Sequence, residues 1–287
     1  MRTRDVVDML LLGGIWGGAF VLLRVASPEF GAVPLAAVRI LVAAFTLLLF
    51  LRDRSLLRAE PLRLLLLGLI ASAIPFTLYA YAMLSITSGL AALLNATTPM
   101  FGALVAWLWL GERLSVARVV GIVIAFAGVL WLVNDALGTL GVGALGGVLA
   151  ALLGAACYAV AASYTRRVFP TADPVALATG TVLGAFVAIL PFAVVTWPAA
   201  PISLRAWMAA VALGVVCTAI AYKVYFRLLR NVGAGRAVTV TFLFPPFGVL
   251  WGALVLAEPV TLSLLAGCAV VLAGTALAVG LFDRVRY

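Results

Sequence analysis

The chain has 287 residues, 66% of them apolar and 10% charged, with a formal charge of +9. That balance excludes a soluble globule, whose surface needs far more charge. The basic residues are scattered over tails and short connections with no continuous patch, which excludes nucleic acid as a partner.

Ten runs are long and apolar enough to cross about 30 Å of hydrocarbon as helices. They cover 8–26, 34–51, 62–84, 88–110, 116–133, 142–163, 175–197, 204–228, 235–256 and 261–282. The runs are too long and too evenly apolar for barrel strands, and helices satisfy their own backbone in lipid. The expected fold is therefore an all-α membrane protein of ten transmembrane helices. Of the 19 Lys and Arg residues, all but Arg24, Arg39 and Arg205 fall at the termini or in even-numbered connections, Arg236, Arg284 and Arg286 among them. This asymmetry predicts that both termini are cytoplasmic. Arg2 and Arg4 precede the first run as they would in a signal peptide, but the run is longer than an h-region and nine more follow, so it is expected to remain as helix 1.

In helix 1, Gly13, Gly14, Gly17 and Gly18 surround Trp16. The pattern fits close helix packing or a tryptophan projecting into a central space, and both readings stand. Helix 2 holds Arg39 inside the membrane, where it is expected to snorkel outward; the alternative is a wet interior, with Arg39 as a gate or charge contact. Helix 3 places Ser72, Phe76, Tyr79 and Met83 on one stripe, bends at Pro75 and turns Tyr81 to another face. Helix 4 presents Ala91, Asn95, Thr98 and Gly102 on a small, polar face. Helix 6 aligns Gly154, Tyr158, Ala161 and Thr165, and Pro191 bends helix 7. Helix 8 carries Tyr222 and Lys223, the only lysine, which is expected to snorkel, with a gate or a contact for a substrate carboxylate as the alternative. Cys157, Cys217 and Cys268 all lie within runs, so no disulfide framework is expected.

The stretch 88–114 returns at 234–260. At an offset of 146, Gly89 pairs with Gly235, Pro99 with Pro245, Phe101 with Phe247, Gly102 with Gly248 and Glu112 with Glu258; Gly121 and Gly267, then Gly128 and Gly274, continue the match. Two halves, 1–137 and 138–287, each with five passes, must be inverted relative to each other. Glu112 and Glu258 are then structural residues on opposite surfaces. Each proline removes an amide, so Pro99 frees the carbonyl of Asn95 and Pro245 that of Thr241. A cavity lined by helices 1, 3, 4, 6, 8 and 9 is expected. Its candidate binding residues are Trp16, Tyr79, Asn95, Thr98, Pro99, Tyr158, Tyr222, Thr241, Phe244 and Pro245, with the freed carbonyls receiving an ammonium group.

The stretches PMFGALVAWLWLGERLSVARVVGIVIAFAGVLWL and PPFGVLWGALVLAEPVTLSLLAGCAVVLAGTALA, with LLLGGIWGGAF and AAVRILVAA, resemble the EamA-type transporters of the drug/metabolite transporter superfamily. The resemblance, which covers nearly the whole chain, implies a ten-helix, two-repeat inner-membrane carrier; by position it carries over Trp16, Arg39, Pro99, Glu112, Pro245 and Glu258. It further implies export of small metabolites. Among bacterial members the chain is most similar to amino-acid exporters, including those for aromatic amino acids. The alternative is export of a nucleoside, sugar, polyamine or drug.

An enzyme would need a nucleophile, an acid/base pair or a metal cluster, and the chain has no histidine and no paired carboxylates; no cofactor or metal is expected. A channel would need a continuous wet pore. The expected partners are a small-molecule substrate, namely amino acids, and the lipid bilayer, with the chain a monomer or, alternatively, a homodimer. No acidic residue lies at mid-membrane, so proton coupling has no evident carrier.

Overall fold

A computed structural model of the protein describes residues 2–233 and 237–280; Gly235, Arg236, Arg284 and Arg286 lie outside the described residues. Each apolar run forms a helix: α1 (Thr3–Phe30), α2 (Ala32–Leu48), α3 (Pro61–Ala82), α4 (Ser88–Leu110), α5 (Val116–Leu140), α6 (Ala144–Val168), α7 (Pro174–Val195), α8 (Leu204–Val232), α9 (Thr239–Leu256) and α10 (Leu262–Ala278). A short helix, Ser55–Ala59, precedes α3. Eight of the ten are 18 residues or longer. The other two, α2 and α10, have 17 each, which gives about 25 Å of rise.

Two helices run past their apolar cores because their polar ends pair. The amide nitrogen of Asn231 donates to Asp5 at 3.0 Å, and Arg227 Nε donates to Asp8 at 2.8 Å. Both carboxylates are buried. The start of α1 and the end of α8 are thus bound to each other on one face of the bundle.

Local devices repeat at the offset of 146. Ser115 caps α5 by accepting the Arg118 amide, and Thr261 caps α10 by accepting that of Leu264. Gly111 ends α4 in the left-handed region, and Ala257 ends α9 there at φ 53°, a conformation that costs a residue with a Cβ about 1 kcal/mol. A wide π turn interrupts α3 over Leu69–Ala73 and α8 over Val215–Ile220. Pro75 accounts for the first. The second arises without a proline, and Thr218 Oγ1 supports it by donating to the Leu213 carbonyl at 2.9 Å.

The halves are antiparallel. Beyond the end of α9, the Glu258 carboxylate accepts the Ser88 amide with both oxygens at 3.0 Å and the Ser88 hydroxyl at 2.7 Å. It therefore sits at the start of α4. Glu112, beyond the other end of α4, pairs with Arg166 at 2.8 Å. The two glutamates lie at opposite ends of the bundle, and α9 ends where its counterpart α4 begins. Glu258 satisfies orphan donors of a helix N-terminus, whereas Glu112 makes an exposed ion pair. In detergent, Glu258→Ala is therefore expected to lower unfolding free energy by about 1–2 kcal/mol and Glu112→Ala by under about 1 kcal/mol, as read by thermal unfolding. Equal losses would contradict the assignment.

Helices α5 and α10 pack on each other. A Cβ on Gly121 would stand 2.7 Å from the Gly274 carbonyl oxygen, and one on Gly274 2.8 Å from that of Gly121. No residue of either helix lines the central cavity described next.

Candidate functional site

The remaining eight helices enclose a cavity of about 430 Å³, within the range of small-ligand pockets. Of the sequence-derived residues, Trp16, Tyr79, Asn95, Thr98, Tyr158, Tyr222, Thr241 and Phe244 line it, as does Arg39. Pro99 and Pro245 do not. They shape the backbone behind the wall, each at the first or second position of a new helical segment. Lys223 is also outside, its ammonium over the Phe50 ring at 4.0 Å in a side pocket beside α2. Helices α2 and α7 join the expected lining helices, through Arg39 on α2 and Leu177, Ala178 and Thr181 on α7.

Both readings of helix 1 hold, for different residues. Gly17 packs against α9, where a Cβ would meet Gly248 N at 2.9 Å. Trp16 turns to the cavity, donates from Nε1 to the Cys217 carbonyl at 3.0 Å within the π turn of α8, and packs edgewise on Phe244 at 5.4 Å. Across the cavity Tyr79 lies nearly parallel to Tyr158, 6.0 Å between centroids. Its hydroxyl donates to Asn95 Oδ1 at 2.8 Å. As expected, Tyr81 turns away and is exposed.

The freed carbonyls are not bare. Thr98 Oγ1 donates to the Asn95 carbonyl at 2.7 Å, and the Phe244 amide closes a tight turn onto that of Thr241. A proline gap in hydrocarbon is costly to leave open, and here a hydroxyl and a 3-10 turn fill it. The expectation that backbone carbonyls await a ligand is corrected on this point.

Arg39 overturns the snorkelling expectation. The residue is 6% exposed, its Nε donates to Thr218 Oγ1 at 3.1 Å, and its guanidinium carbon lies 3.7 Å from the Phe76 ring centre. The π turn of α8 presents the hydroxyl that draws it inward. Sequence reading also missed Thr218 and Tyr225 in the wall. The signal was available, since adding 146 to Ser72, Phe76 and Tyr79 gives Thr218, Tyr222 and Tyr225.

The cavity lies toward one face of the bundle. Its lining runs to Thr165 near the end of α6 and Leu177 near the start of α7. Toward the other face it stops at Leu23 and Tyr79, where Arg24 donates to the Met83 carbonyl and Phe20 packs edgewise on Tyr79. A multi-pass helical bundle with inverted halves around a central cavity defines the class of membrane transporters.

The EamA-like transporter family model matches residues 6–134 and 145–280. The chain belongs to that family. It is 27% identical over 273 residues to the "Probable amino-acid metabolite efflux pump" of Escherichia coli, covering 91% of this chain and 90% of the other. With the "Uncharacterized transporter YvbV" of Bacillus subtilis it shares 26% over 280 residues, 93% of this chain and 88% of the relative. With the Escherichia coli "Uncharacterized inner membrane transporter YedA" it shares 29% over 266 residues, 88% and 84%. A solved crystal structure superposes with a TM-score of 0.67 at 20% identity, covering 99% of this chain and all of that one.

Proposed function

We propose that the protein exports neutral amino acids, aromatic ones among them, across the inner membrane by alternating access, with both termini in the cytoplasm. The observation that carries this reading is the aromatic cavity itself: Trp16, Tyr79, Tyr158 and Tyr222 give apolar walls with polar tips, and Asn95, Thr98 and Thr241 add amide and hydroxyl groups. An aromatic side chain fits against such rings. The amino acid's α-ammonium group meets hydroxyl oxygens and ring faces, since both proline-freed carbonyls already have donors. The relative named as an amino-acid metabolite efflux pump supports the substrate class and direction, and the one named as an inner membrane transporter supports the location. The antiparallel halves about a central cavity support a carrier whose halves rock about it. Among the described residues no carboxylate lines the cavity, so a facilitator or exchanger fits the lining at least as well as a proton antiporter.

The test is transport in proteoliposomes loaded with labelled phenylalanine, leucine and other neutral amino acids, with and without a pH gradient. Saturable, protein-dependent efflux is expected. If none of the amino acids moves while sugars, nucleosides or polyamines do, the proposal fails.

A further inference from the structure

We infer that Arg39 is the anchor for a carboxylate, so that the cavity selects carboxylate-bearing molecules and turns away amines and other cations. The inference rests on the amino-acid reading above and narrows it, because it ranks the two ends of the zwitterion.

Among the described residues, Arg39 is the only formally charged side chain in the cavity wall. It lies midway along α2, about 10 Å or more of helix from either end, and an arginine at that depth is expensive unless something engages it. Acidic groups do exist near one end of the bundle. They are occupied: Asp8 by Arg227 and Asp5 by Asn231. No salt bridge to Arg39 forms among the described residues, and its hydrogen bond there is the one from Nε to Thr218. The two terminal nitrogens bond to nothing in the described protein.

The group is also held in place. Nε is fixed by Thr218 and one face of the guanidinium is covered by Phe76, so the remaining N–H fork is oriented before any ligand arrives. A planar fork with parallel donors matches a carboxylate with two hydrogen bonds, and a donor set that needs no reordering loses less on binding. The amine end of a ligand has no such partner, since it meets only dipoles and ring faces. A whole charge faces the acid and none faces the base. Removing the carboxylate should therefore cost more than removing the amine.

The experiment measures binding to the purified full-length protein by calorimetry with four probes: phenylalanine, 3-phenylpropionate, which lacks the amine, and phenylalaninamide and phenethylamine, which lack the carboxylate. Phenylpropionate is expected to bind within about threefold of phenylalanine, and the two cations about tenfold or more weaker, the scale of a charged hydrogen-bonded pair. Arg39→Gln should abolish the preference for phenylalanine over its amide, while Arg39→Lys, which keeps the charge without the fork, should retain part of it. Should Arg39→Gln not fold, Thr218→Val frees Nε and leaves the charge, and it should reduce the preference without removing it. Equal binding of phenylalanine and phenylalaninamide to the unaltered protein overturns the inference and leaves the amino-acid reading standing. Binding of phenylpropionate but not phenylalanine does the reverse. If none of the four binds, both fail.

Discussion

Gly184→Leu is expected to remove most folded protein from the membrane. Helices α3 and α7 touch backbone to backbone at this point: a Cβ on Gly184 would lie 2.6 Å from the Leu64 carbonyl oxygen and 2.7 Å from the Leu65 Cα, and one on Gly68 2.9 Å from the Gly184 carbonyl carbon. Neither neighbour is a flexible side chain that can step aside, so the helices must separate. Separation strips contacts along both helices, and membrane helix association depends on that close packing. The cost should exceed about 3 kcal/mol, the upper end of ordinary overpacking. Gly102→Ala is the control: nothing lies within 4 Å of its Cβ position, and alanine favours a helix over glycine by about 1 kcal/mol. Size-exclusion profiles of fluorescently tagged variants should show collapse for the first and an unchanged or higher peak for the second. A normal peak for Gly184→Leu would mean that α3 and α7 do not cross this closely.

Trp16→Ala should lower transport of labelled phenylalanine, the substrate proposed above, more than tenfold while leaving folded protein. The side chain makes one hydrogen bond to the Cys217 carbonyl and ring contacts with Tyr225 and Phe244. These contacts hold the ring at the cavity, and a tenfold effect needs about 1.4 kcal/mol, the upper end of one aromatic contact with a bound substrate ring, about 0.5–1.5 kcal/mol. Trp16→Phe keeps a ring and loses the donor, so its loss should be only severalfold. Initial rates in proteoliposomes at matched protein separate the two. Unchanged rates in the alanine variant would remove Trp16 from the transport path.

Much of this architecture was legible in the sequence because it rests on local rules. Apolar run length gave the helices, and the offset of 146 gave the inversion, which the contact of Glu258 with Ser88 reproduces. The direction of Arg39 was not legible: it depends on a hydroxyl 179 residues away, on a π turn that no proline announces. The freed carbonyls were located correctly but wrongly expected to be open, because whether Thr98 turns its hydroxyl back onto Asn95 is a rotamer choice that a spacing argument cannot see. Equivalence in sequence also overstates equivalence in space. Gly102 stands clear, whereas its counterpart Gly248 is pressed against Ala92.

The pairing of α5 with α10 has a consequence for ancestry and assembly. Gly128 meets Val271 as Gly274 meets Ala125, and Gly267 meets Leu132 as Gly121 meets Ala278, one helix coming from each inverted half, as in the self-complementary seam that joins two identical subunits about a two-fold axis. A five-pass protein inserted in both orientations would build the same seam between separate molecules. Here a single polypeptide closes it internally, so that face of each half is already taken by its own sibling.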